Sequence, residues 1–342
     1  MIHDPSPTIA DLLPARAARA ARWPELALQW LDSIAASHAA LRGLRAAVMR
    51  DLLLPEAKPA LADEPSTAAA SADGESSQIS REQLARHIEG KVVLITGGSS
   101  GIGLETARRV AVAGAKTLIC ARDLDKLTSA QRQLARAGGD VRADAVNLAD
   151  PRECDAFAGR LLERHGAVDV LINNAGRSIR RSVQHSFERF HDFQRTMQLN
   201  YFGALRLTMR LLPAMARQRS GHVINVSSIG VLMGSPRFSA YAASKAALDT
   251  WTRCAASEYA DVGVAFTTIY MPLVRTPMSA PTESYGRVPA LSAEGAAELA
   301  VRAIVERPAR IATSLGTLGD LAHALAPHWT RSLGNYLFRS AP

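Results

Sequence analysis

The sequence predicts a doubly wound α/β domain on a parallel sheet of about seven strands, with a helical extension in front of it. Three observations carry this. From about residue 90 onward, short β-branched runs alternate with helix-patterned segments. Glycines fall directly after the first of these runs and before a helix. The first 80 residues have another composition and none of that alternation.

At 342 residues the chain has ample length for a large core. Its 47% hydrophobic and 21% charged residues are ordinary for a soluble globular protein, and no apolar run approaches a membrane-spanning length. The start, "MIHDPSPTIADLLP", lacks the basic-then-apolar layout of a secretory signal. Cys120, Cys154 and Cys254 lie far apart without CxxC spacing. Neither a disulfide framework nor a metal site is expected, and all three are expected to pack in the interior. A reducing cytoplasm is the default location, with peripheral membrane association as the alternative.

The charge is uneven. Residues 1–90 hold nine Lys/Arg against twelve Asp/Glu, whereas residues 91–342 hold 31 against 20. The basic part is the part expected to fold. Phosphorylated small molecules or an anionic membrane surface suit it. Nucleic acid is not expected, because no basic run is interleaved with aromatics.

Residues 1–54 read as an amphipathic helical extension. Leu26, Trp30 and Ile34, then Leu41, Leu44 and Val48, recur at helical spacing, with a break near Pro24. Residues 55–80 are Pro/Ala/Ser-rich and acidic with little to bury, and read as a flexible linker. Residues 81–342 form the folded domain. It closes on an amphipathic segment with Trp329, Tyr336 and Phe338 among basic residues. That segment is expected to pack on the core or on a subunit partner; covering a substrate channel or lying on a membrane are the alternatives.

The first strand, "KVVLI" (91–95), leads into "TGGSSGIG", with Gly97, Gly101 and Gly103 ahead of a helix. A pyrophosphate needs a tight turn, close backbone approach and a helix N-terminus aimed at it. The second strand, "KTLIC" (116–120), is followed by Ala121 and Arg122. An acid there would hold a ribose 2′-hydroxyl; a neutral residue followed by arginine suits a 2′-phosphate, hence NADPH, with Ser99 and Ser100 adding hydrogen bonds. A later strand, "VDVLIN", runs into Asn174, Ala175 and Gly176, then Arg177, Arg180 and Arg181. Positive charge at a strand end implies an anionic ligand, or else a solvated loop paired with Glu188 or Asp192.

In "SAYAASKAALDTW", Tyr241 and Lys245 share one face of a helix. An ammonium near a phenol favours the phenolate, so the tyrosine can exchange a proton near neutral pH. The strand "HVINVS" sets Ser227 and Ser228 at its carboxyl end, where a hydroxyl can hold a substrate carbonyl.

Together "TGGSSGIG", "NNAG", "LNYFG", "NVSS" and "YAASK" resemble the short-chain dehydrogenase/reductase superfamily over about residues 90–315. The resemblance implies a Rossmann fold and a catalytic tetrad of Asn200, Ser228, Tyr241 and Lys245. The serine would orient the carbonyl and the tyrosine would donate the proton. The lysine would tune the tyrosine and bind the nicotinamide ribose, and the asparagine would hold a water that feeds protons to the lysine. Implied cofactor contacts are Gly97, Ser99, Ser100, Gly101, Ile102, Gly103, Arg122, Asn147, Leu148, Asn174, Ala175, Gly176, Tyr241, Lys245, Pro272, Val274 and Thr276. Two positions depart from the family pattern. Asn147 stands where an aspartate is usual near the adenine, and Leu273 follows Pro272 where glycine is usual. The leucine makes that wall bulkier.

A narrower resemblance runs through the loops. "NNAGRSIRRSV", "RFHDFQRTMQLNYFGA", "RFSAYAASKAALD", "IYMPLVRTPMSAPT" and "RPARIATSLG" are similar to the bacterial NADPH-dependent fatty acyl-CoA reductases. That family reduces long-chain acyl-CoA to fatty aldehyde and releases CoA. The similarity implies Arg177, Arg180 and Arg181 on the CoA phosphates, and Leu273 and Met278, with Met271 and Tyr285, along an acyl channel. No protein thiol is needed. A homo-oligomer is expected. The alternatives are a generic carbonyl reductase or hydroxyacyl or steroid dehydrogenase, and a nonenzymatic NADPH-binding partner protein.

Overall fold

A parallel strand covered on both faces needs apolar side chains at successive positions. In the computed structural model, β1 (Val92–Thr96) has five buried residues in a row. Val93 and Ile95 join one hydrophobic layer, Val92 and Leu94 the other. Residues 78–282 and 289–340 are described. The expected helical extension, most of the linker and Tyr285 lie outside them.

Six strands extend the first: β2 (Lys116–Ala121), β3 (Val141–Ala145), β4 (Val170–Asn173), β5 (Gly221–Ser228), β6 (Val264–Met271) and β7 (Arg310–Ala312). Their order is β3-β2-β1-β4-β5-β6-β7, and every pairing is parallel. This is the seven-stranded Rossmann-like sheet the alternation predicts.

One face is covered by α1 (Arg81–Ile88), α2 (Gly101–Val112) and α3 (Leu124–Arg136), through Leu84, Ile88, Val110, Leu127 and Leu134. The other is covered by α4 (Pro151–His165) and α6 (Ala204–Arg217), with Phe157, Leu161, Leu207 and Leu211 at its centre, and α5 (Phe190–Met197) precedes α6 in the chain. Burying each such side chain contributes about 1.5–3 kcal/mol. After β5 come α7 (Ile229–Met233) and α8 (Ser239–Glu258); after β6, α9 (Ala293–Glu306) returns to the first face. Asp123 and Asp150 cap α3 and α4 through backbone N–H groups, and Pro151 starts α4 without losing a hydrogen bond.

α1 was not predicted, although Ser80 and Gln83 form a capping box at its start. Ile79 donates from its N–H to Glu298 at 2.7 Å, and Arg109 donates to the Ile79 carbonyl at 2.8 Å. The last two residues of the expected linker are therefore anchored on the domain. The cysteine expectation needs one correction. Cys120 and Cys154 are buried, but Cys254 is exposed. The inner face of α8 is set by Lys245, Leu248, Thr252 and Ala255, and Cys254 falls off that stripe.

α10 (Ser314–Leu325) packs on α7 through Gly316, where an added Cβ would lie 2.9 Å from Ile229, and α11 (Pro327–Ser340) follows it. No described helix is long and apolar enough to cross a membrane.

Candidate active site

β1 lies between β2 and β4, so consecutive crossovers leave it in opposite directions and a crevice opens at the carboxyl ends of the strands. The cleft there has a volume of about 1230 Å³. Its floor is the glycine loop. Gly97 and Gly101 have φ of +67° and +54°, which side chains rarely adopt. A Cβ on Gly103 would stand 2.4 Å from the Gly97 carbonyl oxygen. Gly103 does not line the cleft itself; it lets α2 close on the loop. α2 starts at Ser100 with no side-chain cap and no acid in its first turn, so its first N–H groups are left for an anion. Ser99, Ser100, Gly101 and Ile102 line the cleft beside them. This cradle fits a dinucleotide pyrophosphate.

The loop is stitched to the end of β4. The Thr96 hydroxyl oxygen accepts from the N–H of Asn174 at 3.0 Å and of Ala175 at 2.9 Å. The Asn174 amide donates to the carbonyls of Thr96 and Gly97 at 2.9 and 3.2 Å. Beneath, Asn173 donates to Thr208 and Asn225 at 3.0 and 2.8 Å. Asn174, Ala175 and Gly176 are thereby held along the cleft wall. Thr96 and Asn173 were not singled out from the sequence. A polar residue at the inward end of a buried strand was the available signal.

Arg122 lines the cleft at the end of β2, and no acid precedes it at Ala121. Asn147 does not line it. Its Oδ1 accepts from the Ala149 N–H at 3.2 Å, closing a local turn, while Val146 and Leu148 face the cleft.

Tyr241 and Lys245 project from α8 into the cleft, one turn apart, with Ser228 at the end of β5. Lys245 is buried, and its ammonium donates to the Val226 carbonyl at 2.7 Å; burial pushes its pKa down to about 8. The Tyr241 ring meets Phe238 edge-on at 6.5 Å. Ser228 Oγ accepts from the Gly230 N–H at 3.1 Å, capping α7, which leaves its own proton to donate. Ser227 is among the residues lining the cleft, and its Oγ is buried without a hydrogen-bond partner among the described residues.

Asn200 is fully buried and off the cleft lining. It sits in a π-helical turn, Gln198–Gly203, between α5 and α6. Its Oδ1 accepts from the Arg177 N–H at 2.7 Å, and its Nδ2 donates to the Arg177 carbonyl and to Ser244 at 2.8 and 2.9 Å. A Cβ on Gly176 would lie 3.4 Å from Asn200 Oδ1 and 3.5 Å from Lys245 Nζ, so the amide and the ammonium flank this glycine.

The three arginines separate. Arg180 lines the cleft. Arg181 is paired with the buried Asp192 at 3.1 Å, beside Arg189. Arg177 is half-buried; burial and the nearby Arg195 and Arg122 hold its pKa below the ordinary arginine value. The far wall is Pro272, Leu273, Val274, Thr276 and Met278, from the segment after β6. That segment is pinned where Leu291 donates to the Leu273 carbonyl and accepts from the Arg275 N–H, each at 2.9 Å.

With this geometry in place, the family model described as short chain dehydrogenase matches residues 91–285. The chain belongs to the short chain dehydrogenase family. Among relatives, this dehydrogenase is 52% identical to a fatty acyl-CoA reductase of Acinetobacter baylyi over 258 residues, 75% of this chain and 88% of that one. It is 42% identical to a fatty acyl-CoA reductase of Mycobacterium tuberculosis over 247 residues, 72% of this chain and 84% of that one. Among solved structures, it matches an actinorhodin polyketide ketoreductase with NADPH at TM-score 0.62 and 26% identity, covering 68% of this chain and 98% of that one. This short chain dehydrogenase is thus an oxidoreductase with the fold and motif set of its family.

Proposed function

We propose that this short chain dehydrogenase reduces long-chain acyl-CoA to fatty aldehyde at the expense of NADPH, releasing CoA. One observation carries the reading: a proton-transfer set of Tyr241, Lys245 and Ser228 shares a single large cleft with the glycine cradle, in a chain 52% identical to a fatty acyl-CoA reductase. The volume of about 1230 Å³ exceeds the ~300–1,000 Å³ usual for a small-ligand site, which leaves room for a second ligand beside a dinucleotide.

Arg122, with neutral Ala121 before it, supports a 2′-phosphate and so NADPH. When bound, the dinucleotide supplies a hydride to the thioester carbonyl. Ser228 donates to the carbonyl oxygen, and the Tyr241 hydroxyl stabilises the charge that grows there. Lys245 holds a positive charge beside Tyr241, favouring the tyrosine's ionised form as it gives up its proton. The Tyr241 phenolate takes that proton back as the tetrahedral centre collapses: the C–S bond breaks, CoA leaves as its thiolate and the carbonyl re-forms as the aldehyde. Asn200 acts by holding Arg177 and the wall of the cleft. Leu273 and Met278 supply apolar surface for the acyl chain, and Arg180 meets CoA phosphates. Cys120 and Cys154 are buried with thiols pushed to high pKa, to about 11 for Cys154, so neither offers a nucleophile for a covalent route. The dehydrogenase is further read as a homo-oligomer, supported by Phe202 and Met209, large apolar side chains about half exposed beside and on α6.

The test is thiol release from palmitoyl-CoA with NADPH and, separately, NADH, together with detection of aldehyde. Release with NADPH in preference to NADH is expected. Turnover of simple ketones without thiol release at any chain length would overturn the acyl-CoA reading and leave a carbonyl reductase.

A further inference from the structure

We propose that α10 and α11 form a docking element for an anionic lipid surface. Among its described side chains α11 (Pro327–Ser340) has none that is buried. Trp329 is 81% exposed, Tyr336 67% and Leu333 57%, and the spacing i, i+4, i+7 puts them on one stripe. Leu321 and Leu325 continue exposed apolar surface along α10. A helix of this length is marginal in water unless one face is covered. Within the described residues α11 touches the body narrowly, where Gly334 approaches Pro236 and the Arg237 guanidinium lies 5.1 Å over the Phe338 ring.

Charge chooses the occupant. Residues 321–342 contain no Asp or Glu and carry Arg331, Arg339, His323 and His328. Arg237 adds a further positive charge at the base. Trp and Tyr rings over basic residues are the chemistry of a helix lying in the headgroup layer, its apolar side among acyl chains and its guanidiniums at lipid phosphates. A facing protein surface would have to supply all the negative charge itself, whereas an anionic bilayer presents it everywhere.

The element also sits next to the cleft. Ile229 and Met233, against which Gly316 and Gly319 of α10 pack, belong to α7, and Ile229, Ser235 and Phe238 are in or beside the cleft lining. Docking would therefore bring bilayer-dissolved acyl chains close to the cleft; that consequence rests on the acyl-CoA reading, while lipid binding itself does not.

The experiment is co-sedimentation of the full chain with vesicles of phosphatidylcholine alone or with one third phosphatidylglycerol. Binding to the anionic vesicles, weakened by added salt, is expected. Trp329→Ser with Leu333→Ser should weaken it about tenfold, and Arg331→Glu with Arg339→Glu by a similar factor. Because Trp329, Leu333, Arg331 and Arg339 are all exposed, both variants should keep the wild-type unfolding temperature and dinucleotide affinity. Absence of wild-type binding to anionic vesicles overturns the proposal. So does binding that both variants retain in full, which would assign it to another part of the chain. A wild-type dimer that the apolar variant splits, without any vesicle binding, would make the face a contact between two copies and likewise overturn it.

Discussion

The ammonium of Lys245 donates to the carbonyl of Val226 at 2.7 Å, inside the strand that ends in Ser228. One α8 side chain thereby registers the helix bearing Tyr241 on the strand bearing Ser228. The same burial that makes this possible disfavours its charge, pushing the pKa from the ordinary 10.5 down to about 8.

That value gives a pH dependence. A ribose hydroxyl accepting from the ammonium favours the charged lysine, so binding takes up a proton once the free protein has lost one. NADPH affinity is expected to fall as pH rises through about 8. Lys245→Met should bind more weakly at neutral pH and lose that limb of the profile. Isothermal titration across the range in two buffers of different ionisation enthalpy reads both affinity and proton uptake. A flat wild-type profile would dissociate Lys245 from cofactor binding.

Tyr241→Phe removes one oxygen and leaves the ring against Phe238. Turnover should fall by about 10²–10⁴, the usual contribution of a positioned proton donor, with dinucleotide affinity nearly unchanged. An equal loss in both would mark Tyr241 as a binding group instead.

Gly103→Ala places a methyl 2.4 Å from the Gly97 carbonyl oxygen and 2.5 Å from the Asn174 amide. Neither can retreat, because Asn174 is tied to Thr96 and Gly97. The expected result is a stability loss of about 1–3 kcal/mol together with near-abolition of dinucleotide binding. Denaturant melts and fluorescence titration of NADPH measure the two separately. Wild-type binding in the variant would show that the loop need not hold this shape.

Arg180 and Arg181 should behave differently despite being adjacent. Arg180→Ala should raise KM for acyl-CoA far more than for a free aldehyde. Arg181→Ala should chiefly lower stability, because Asp192 is buried and Arg181 is one of its cations. Steady-state kinetics with both substrates and a thermal melt distinguish them. An Arg181 variant with the larger acyl-CoA defect would reverse the assignment.

What the sequence made legible was whatever depends on backbone conformation or fixed helical spacing. The glycine loop demands particular φ values, and Tyr241 and Lys245 need only one helix to share a face. The inner strands were readable because successive residues on both faces are buried, whereas the edge strands β3 and β7 are mostly half-exposed or exposed and carry a weaker pattern. What stayed hidden depends on side-chain choices made in the assembled fold. Asn147 looks like a cofactor ligand until its Oδ1 is seen closing a turn on Ala149. Arg181 looks like a phosphate ligand until Asp192, brought up by α5, takes it. Asn200 flanks Gly176 together with the Lys245 ammonium, but its three hydrogen bonds to Arg177 and Ser244 depend on a π-helical turn with no sequence signature of its own.

Away from the cleft, His222 should set part of the acid limit of the fold. The Thr267 hydroxyl donates to the Pro308 carbonyl at 2.6 Å, so towards His222, 2.9 Å away, it can only accept. Nε2 therefore carries the proton, and Nδ1 is a bare acceptor, buried without a partner. Charging the ring would bury an N–H with nothing to receive it, and burial pushes the pKa from 6.5 down to about 3. The folded value lies below the unfolded one, so between those two pH values the unfolded chain takes up a proton that the native ring refuses. Stability is expected to fall as pH drops through this window, with this residue contributing up to about 1.4 kcal/mol per pH unit. His222→Gln keeps a donor for Thr267 but has no proton to gain, so its stability should decline less steeply. Urea unfolding of both proteins at several pH values compares the slopes, and identical slopes would show that some other group sets the acid limit.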